Sequence, residues 1–242
     1  MISWIYVIIM ILISVVLLLL TLLAYIFVTP FDKPRKTIQA ISRWISRLFF
    51  SAMPFWHTRR MGMENIDKKQ KYVIVLNHQS MIDIPMLYWT PLNFRWVTKK
   101  ELLKAPVFGQ YILLHGDITI DRGASRSAME KMEIMGRKWL SRGVSIAVFP
   151  EGTRSKDGCM HRFKTGAFAL AKDNGVGILP VVLDGTDNLI KKGWRVASKH
   201  TFTIKVLPPV SAREVSETDV KEMAEKVHAM MDEARNQIRI KQ

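Results

Sequence analysis

The chain has 242 residues, 36 Lys+Arg against 21 Asp+Glu and a single cysteine, Cys159. That length fits one globular domain with additional segments, and one cysteine excludes an intrachain disulfide, a Cys-rich zinc site and a CxxC redox pair. The charge is uneven. Residues 2–28 carry none, and the tail 211–242 has six basic and seven acidic residues, so the surplus lies between 29 and 210. Such an excess suggests a polyanionic partner such as nucleic acid, anionic lipid headgroups or a phosphorylated substrate; solubility charge is the plainer alternative.

Residues 2–28, ISWIYVIIMILISVVLLLLTLLAYIFV, are apolar throughout. As a helix rising ~1.5 Å per residue the segment is about 40 Å long, enough to span a hydrocarbon core of ~30 Å with tilt. No basic residue precedes the run and no A-x-A site ends it, which argues against a cleaved signal peptide. Lys33, Arg35, Lys36, Arg43 and Arg47 follow it, and the positive-inside rule then places the rest of the chain in the cytoplasm. In residues 37–56, Ile38, Ile41, Ile45, Leu48 and Ala52 recur at three- and four-residue steps. Gln39, Ser42, Arg43, Ser46 and Arg47 fill the other side. This pattern suits a helix lying in the membrane interface, with a helix packed on the domain as the alternative. The expected division is an anchor at 1–29, an interfacial segment at 30–60 and a catalytic domain at 61–242.

From residue 70 short β-rich runs alternate with helical stretches. Strands are expected at 71–76, 93–98, 117–120, 144–149, 178–183 and 201–207. Helical spacing covers 101–114, where Pro106 must bend or split the helix, and also 125–140 and 163–174. Met129, Met132, Ile134, Met135 and Trp139 form a stripe that reads as core. After Pro208-Pro209, residues 211–238 read as one closing helix, with Ser216 and Asp219 placed for a capping box. The alternation predicts an α/β domain, a central mixed sheet flanked by helices.

Three loop segments carry candidate chemistry. Asn77-His78-Gln79-Ser80-Met81-Ile82-Asp83 follows a buried strand. Positions five apart diverge by ~140° on one helix, so His78 and Asp83 can meet only across a turn. Pro85 marks the helix start that would place Asp83 in the first turn, folded back on His78. In isolation such a pair is more often a structural feature. Phe149-Pro150-Glu151-Gly152-Thr153-Arg154-Ser155 offers a permissive glycine, hydroxyls and a guanidinium fork suited to phosphate; Glu151 is better placed to bind a hydroxyl or hold Arg154. Gly116-Asp117-Ile118-Thr119-Ile120-Asp121-Arg122 could add the charge of Arg122, or be a plain turn.

Taken in order, NHQSMID, GDITIDR, FPEGTRS and ILPVVLDGT resemble the four sequence blocks of the glycerolipid acyltransferase family, in particular 1-acylglycerol-3-phosphate acyltransferases of the bacterial type. The resemblance covers about residues 70–190 and extends to the membrane-anchored amino terminus. It implies that His78 is the general base and Asp83 its orienting carboxylate. Arg122, Glu151, Gly152, Thr153 and Arg154 would shape the acceptor site. Lys99 matches a lysine that reaches the phosphate, with Lys100 one position away, and Pro180 would shape the acyl pocket. The reaction implied is acyl transfer from acyl-CoA or acyl carrier protein to lysophosphatidate, giving phosphatidate, at a membrane that would be the bacterial inner membrane.

An alcohol attacking a thioester needs a base and no protein nucleophile, and the sequence has no G-x-S-x-G elbow. The remaining histidines show no metal-ligand spacing, so neither a metal nor another cofactor is expected beyond the thioester co-substrate. Another lysolipid or glycerol 3-phosphate is the enzymatic alternative. A membrane-tethered protein binding anionic lipid or nucleic acid is the alternative of a different class; nucleic acid leaves the four ordered blocks unexplained.

Overall fold

The computed structural model describes residues 2–51, 55–121, 125–155, 157–187, 190–191, 195–196 and 199–240. For residues 2–7, 10, 125, 190, 191, 195 and 196 it describes the backbone alone. The strands are β1 (Trp56–Met61), β2 (Tyr72–Leu76), β3 (Phe94–Lys99), β4 (Ile118–Ile120), β5 (Ser145–Val148), β6 (Gly177–Asp184), β7 (Ile190–Lys191), β8 (Arg195–Val196) and β9 (His200–Val206). The helices are α1 (Ile2–Phe27), α2 (Lys36–Ser51), α3 (Asp83–Leu87), α4 (Phe108–His115), α5 (Ser125–Leu140), α6 (Gly166–Asp173), α7 (Ala212–Glu217) and α8 (Val220–Ile240).

Seven strands form one sheet in the order β1-β9-β6-β2-β5-β3-β4. Its pairs are parallel except β6 with β9, so the sheet is mixed and helix-flanked as expected. The all-apolar run of β2 is buried on both faces. Val73 and Val75 enter a layer shared with Phe168 and Leu170 of α6, Trp139 of α5 and Met231 of α8. Tyr72, Ile74 and Leu76 enter the opposite layer with Phe49 and Phe50 of α2 and Met86 and Leu87 of α3. Because β2, β5 and β3 are parallel neighbours, their carboxyl ends emerge along one edge, which brings together Lys99 at the end of β3 and the loops carrying His78 and Phe149.

Several expectations change. Residues 56–60, placed in the interfacial segment, belong with Met61 to edge strand β1 paired with β9, so the sheet domain begins at Trp56. The helical pattern at 101–114 splits at Pro106: a 3-10 turn covers Lys100–Lys104 and α4 begins at Phe108. The closing helix is two helices. Ser211 caps α7 by accepting the Glu214 N–H, and Asp219 accepts the N–H groups of Lys221 and Glu222 at the start of α8. Ser216 instead donates back to the Arg213 carbonyl within α7. In α5, Ile134 is 60% exposed while Met132 and Trp139 are core.

Helix α2 departs most from its periodicity. Ile38 and Ile45, the apolar stripe assigned to lipid, are buried against the protein. So are Gln39, Ser42 and Ser46, assigned to the opposite side. These polar groups are tolerated because each finds a partner. The Gln39 amide nitrogen donates to the Leu92 carbonyl at 3.1 Å, and its oxygen meets His115 Nε2 at 3.1 Å and Arg95 at 3.4 Å. His115 Nδ1 lies 2.6 Å from Asp117, whose same oxygen accepts the Trp96 N–H at 2.9 Å. Arg95, fully buried, also donates to the Phe94 and Pro34 carbonyls at 2.5 and 2.7 Å. Burial lowers the Arg95 guanidinium pKa to about 10 while Asp117 raises it. Ser42 joins Tyr111 at 2.8 Å. Thus α2 is docked on β3 and α4 by a buried polar network.

Helix α1 is 26 residues long with no charged side chain. Ala24 is buried and Tyr25 lies under the Arg35 guanidinium, whereas Leu12, Leu19, Leu23 and Phe27 are exposed. Among the described residues, no helix is long and apolar enough to cross a membrane.

Candidate active site

Strand β2 ends in a loop tied to its neighbours at each step. The Asn77 side chain closes a two-bond bridge to Leu183 of β6, donating to the carbonyl at 2.9 Å and accepting the N–H at 2.8 Å. His78 donates its backbone N–H to Glu151 at 2.7 Å, and its carbonyl accepts the Ser155 N–H at 2.9 Å. The chain then turns into α3, whose first residue is Asp83. One oxygen of this fully buried carboxylate meets His78 Nδ1 at 2.8 Å and accepts the N–H groups of Gln79 and Ser80 at 2.6 and 2.8 Å. His78 and Asp83 therefore meet across a turn, as the five-residue spacing requires. The carboxylate holds the ring in the tautomer with Nδ1–H facing it, which leaves the Nε2 lone pair for a substrate proton.

The imidazole is braced from its face as well. It stacks on Phe149 at 4.0 Å between ring centroids, and Phe149 stacks in turn on Trp96 at 4.9 Å, both at 16°. Residue types alone gave no role to these two rings; Phe149 directly follows β5, and Trp96 lies within β3. A cavity of about 150 Å³ opens beside the histidine, lined by His78, Met81, Trp96, Lys99, Leu102, Phe149 and Arg154 among others. Of the adjacent lysines, Lys99 lines it; Lys100 begins the following 3-10 turn. Lys99 also pairs with Glu101 at 3.3 Å, with both side chains about half exposed, a screened contact of little strength.

In the loop after β5, Glu151 is 5% exposed and serves the scaffold. One oxygen takes the His78 N–H and the other takes the His161 N–H at 3.0 Å. It bridges two loops, where the sequence suggested a hydroxyl contact or a hold on Arg154. Burial raises its pKa and the two backbone donors lower it. Gly152 has φ 76°, the left-handed region that favours glycine. Thr153 and Arg154 are exposed beyond it. Arg122, two residues past the end of β4 in sequence, lies outside the described residues.

A histidine held by ring stacking, a buried orienting carboxylate and two cations around one cavity form an acid–base site suited to a hydroxyl next to an anionic group. The acyltransferase family model matches residues 57–184, and the chain belongs to that family. Its fold resembles the crystal structure of the 1-acyl-sn-glycerophosphate (LPA) acyltransferase of Thermotoga maritima, with a TM-score of 0.76 and 28% identity over 90% of this chain and 87% of that one. Two curated relatives are named 1-acyl-sn-glycerol-3-phosphate acyltransferases. The chloroplastic one of Brassica napus is 30% identical over 229 residues, covering 93% of this chain and 62% of its own length. The alpha form of Mus musculus is 38% identical over 173 residues, covering 70% and 61%. The chain thus spans less than two thirds of the length of either.

Proposed function

We propose that this protein transfers an acyl group from a thioester to the free hydroxyl of lysophosphatidate, giving phosphatidate. The observation that carries the reading is the His78–Asp83 pair at 2.8 Å on a cavity that Lys99 and Arg154 also line. In this mechanism His78 Nε2 takes the hydroxyl proton as the oxygen attacks the thioester carbonyl. The C–S bond then breaks as the tetrahedral intermediate collapses, and the imidazolium returns the proton to the departing thiolate. Base catalysis of this kind contributes ~10² to 10⁴ in rate. Lys99 and Arg154 hold the acceptor phosphate, with Arg122 assigned the same task by its family block. The donor is acyl-CoA or acyl carrier protein, and no metal or further cofactor takes part.

The names of the Thermotoga maritima, Brassica napus and Mus musculus relatives favour lysophosphatidate over glycerol 3-phosphate or another lysolipid. We further propose that α1 anchors the protein in the bilayer, in a bacterial cell the inner membrane, with the sheet domain cytoplasmic. The exposed apolar side chains of α1 and its lack of charge support this. Purified protein given acyl-CoA and lysophosphatidate should release free thiol and form phosphatidate. A panel including acyl carrier protein thioesters, glycerol 3-phosphate and other lysolipids ranks the substrates. Absence of transfer to every acceptor would defeat the reading and leave a tethered lipid-binding protein.

A further inference from the structure

Lys164 lies in the segment between the Phe149–Ser155 loop and α6, and neither the sequence blocks nor the mechanism above uses it. Its backbone N–H donates to the Pro150 carbonyl at 2.9 Å, fixing the residue to the loop. Its side chain then runs across Gly152. A β-carbon built on that glycine would sit 3.5, 3.1 and 3.0 Å from Lys164 Cδ, Cε and Nζ. The ammonium therefore rests over the one position of the loop that has no side chain to displace it. Lys164 and Gly152 line a second cavity of about 100 Å³, which shares Val97 and Phe149 with the His78 cavity. Phe149 is the ring on which His78 stacks.

The charge of Lys164 is not consumed by the protein. Glu151, in the loop that Lys164 crosses, has both oxygens occupied by the backbone N–H groups of His78 and His161. Asp157 is engaged by Ser155, Cys159 and His161. Among the described residues the Lys164 ammonium has neither a hydrogen bond nor an ion pair. A cation so placed beside a reaction cavity is suited to a phosphate oxygen, as a compact point charge on a flexible stem.

We propose that Lys164 is a phosphate-binding residue of this site, reaching over Gly152 to a phosphate of one substrate and joining Lys99 and Arg154. The inference rests on the acyl-transfer reading. The phosphate belongs either to the acceptor headgroup or to the acyl-CoA donor, and kinetics separates them. The 242-residue wild type, K164M and K164R are assayed in neutral detergent micelles, varying each substrate with the other saturating. For K164M the KM of one substrate should rise about tenfold, as expected for loss of a charge-assisted contact, and by much more than kcat falls. K164R should recover most of the loss. A rise for lysophosphatidate alone assigns the acceptor phosphate, and a rise for acyl-CoA alone assigns the donor. Unchanged KM values for both, or equal changes in both without recovery in K164R, would overturn the proposal while wild-type turnover leaves the acyl-transfer reading standing. An inactive wild-type protein would remove that reading and this inference together.

Discussion

At the scale of single residues, the site divides into groups that act on substrate and groups that hold them. His78→Ala removes the base and should lower kcat at least about a hundredfold, with a urea unfolding midpoint close to wild type, because the ring is a loop side chain. Asp83→Asn keeps the shape but loses the acceptor that selects the tautomer, so kcat should fall severely as well. Near-normal turnover of a folded His78→Ala protein would refute the assignment. Arg154→Ala is expected to raise KM for lysophosphatidate roughly ten- to a hundredfold with little effect on KM for acyl-CoA; equal effects on both would make Arg154 structural. Much of this was legible in the residues, since the five-residue spacing and Pro85 already required a turn between His78 and Asp83. The scaffold role of Glu151 was not legible. Its two partners are backbone N–H groups, 73 and 10 residues away in sequence, and backbone donors leave no mark on side-chain identity.

At the scale of elements, the network between α2 and the edge of the sheet matters most. Arg95 crosses from β3 to the carbonyl of Pro34 and the amide of Gln39, and Trp96 beside it carries the ring that stacks on Phe149. Arg95→Met leaves the buried Phe94 and Pro34 carbonyls with fewer donors, removes the positive charge that acts on Asp117, and should cost about 3 kcal/mol. Urea unfolding followed by tryptophan fluorescence would measure it, and a cost below about 0.5 kcal/mol would show that the network is not holding α2. Residue periodicity misread this helix for a definite reason. Hydrophobic spacing assumes that buried means apolar, whereas α2 buries Gln39, Ser42 and Ser46 against partners supplied by residues 85, 92, 95, 111 and 115. The division of the closing helix follows from local chemistry: Ser211 and Asp219 each cap a helix start.

At the scale of the whole molecule, docking of α2 changes how membrane attachment should be tested. Deleting residues 2–56 would strip Phe49, Phe50 and Trp56 from the core as well as any lipid contact, so loss of activity would say nothing about the interface. The exposed side of α2 offers a cleaner test, with Trp44 57% and Leu48 41% exposed and Arg47 beside them. A triple Ala variant at these positions should keep its unfolding midpoint. In a protein already lacking residues 2–28 it should weaken flotation with anionic vesicles, about 1 kcal/mol of that from Arg47. Unchanged flotation would show that α2 has no lipid contact.

The sequence by itself determined the α/β alternation, the apolar amino-terminal helix and the ordered blocks that carry the site, because strand hydrophobicity, turn residues and charge are local properties. Tertiary structure alone decided which groups meet. The parallel neighbours β2, β5 and β3 bring His78, Phe149 and Lys99 to one edge. The antiparallel entry of β9 seats β1 in the sheet, and buried hydrogen bonds turn α2 into part of the domain. These outcomes depend on pairing between segments far apart in the chain, and the energy of such a pair is set by burial and geometry that no single segment carries.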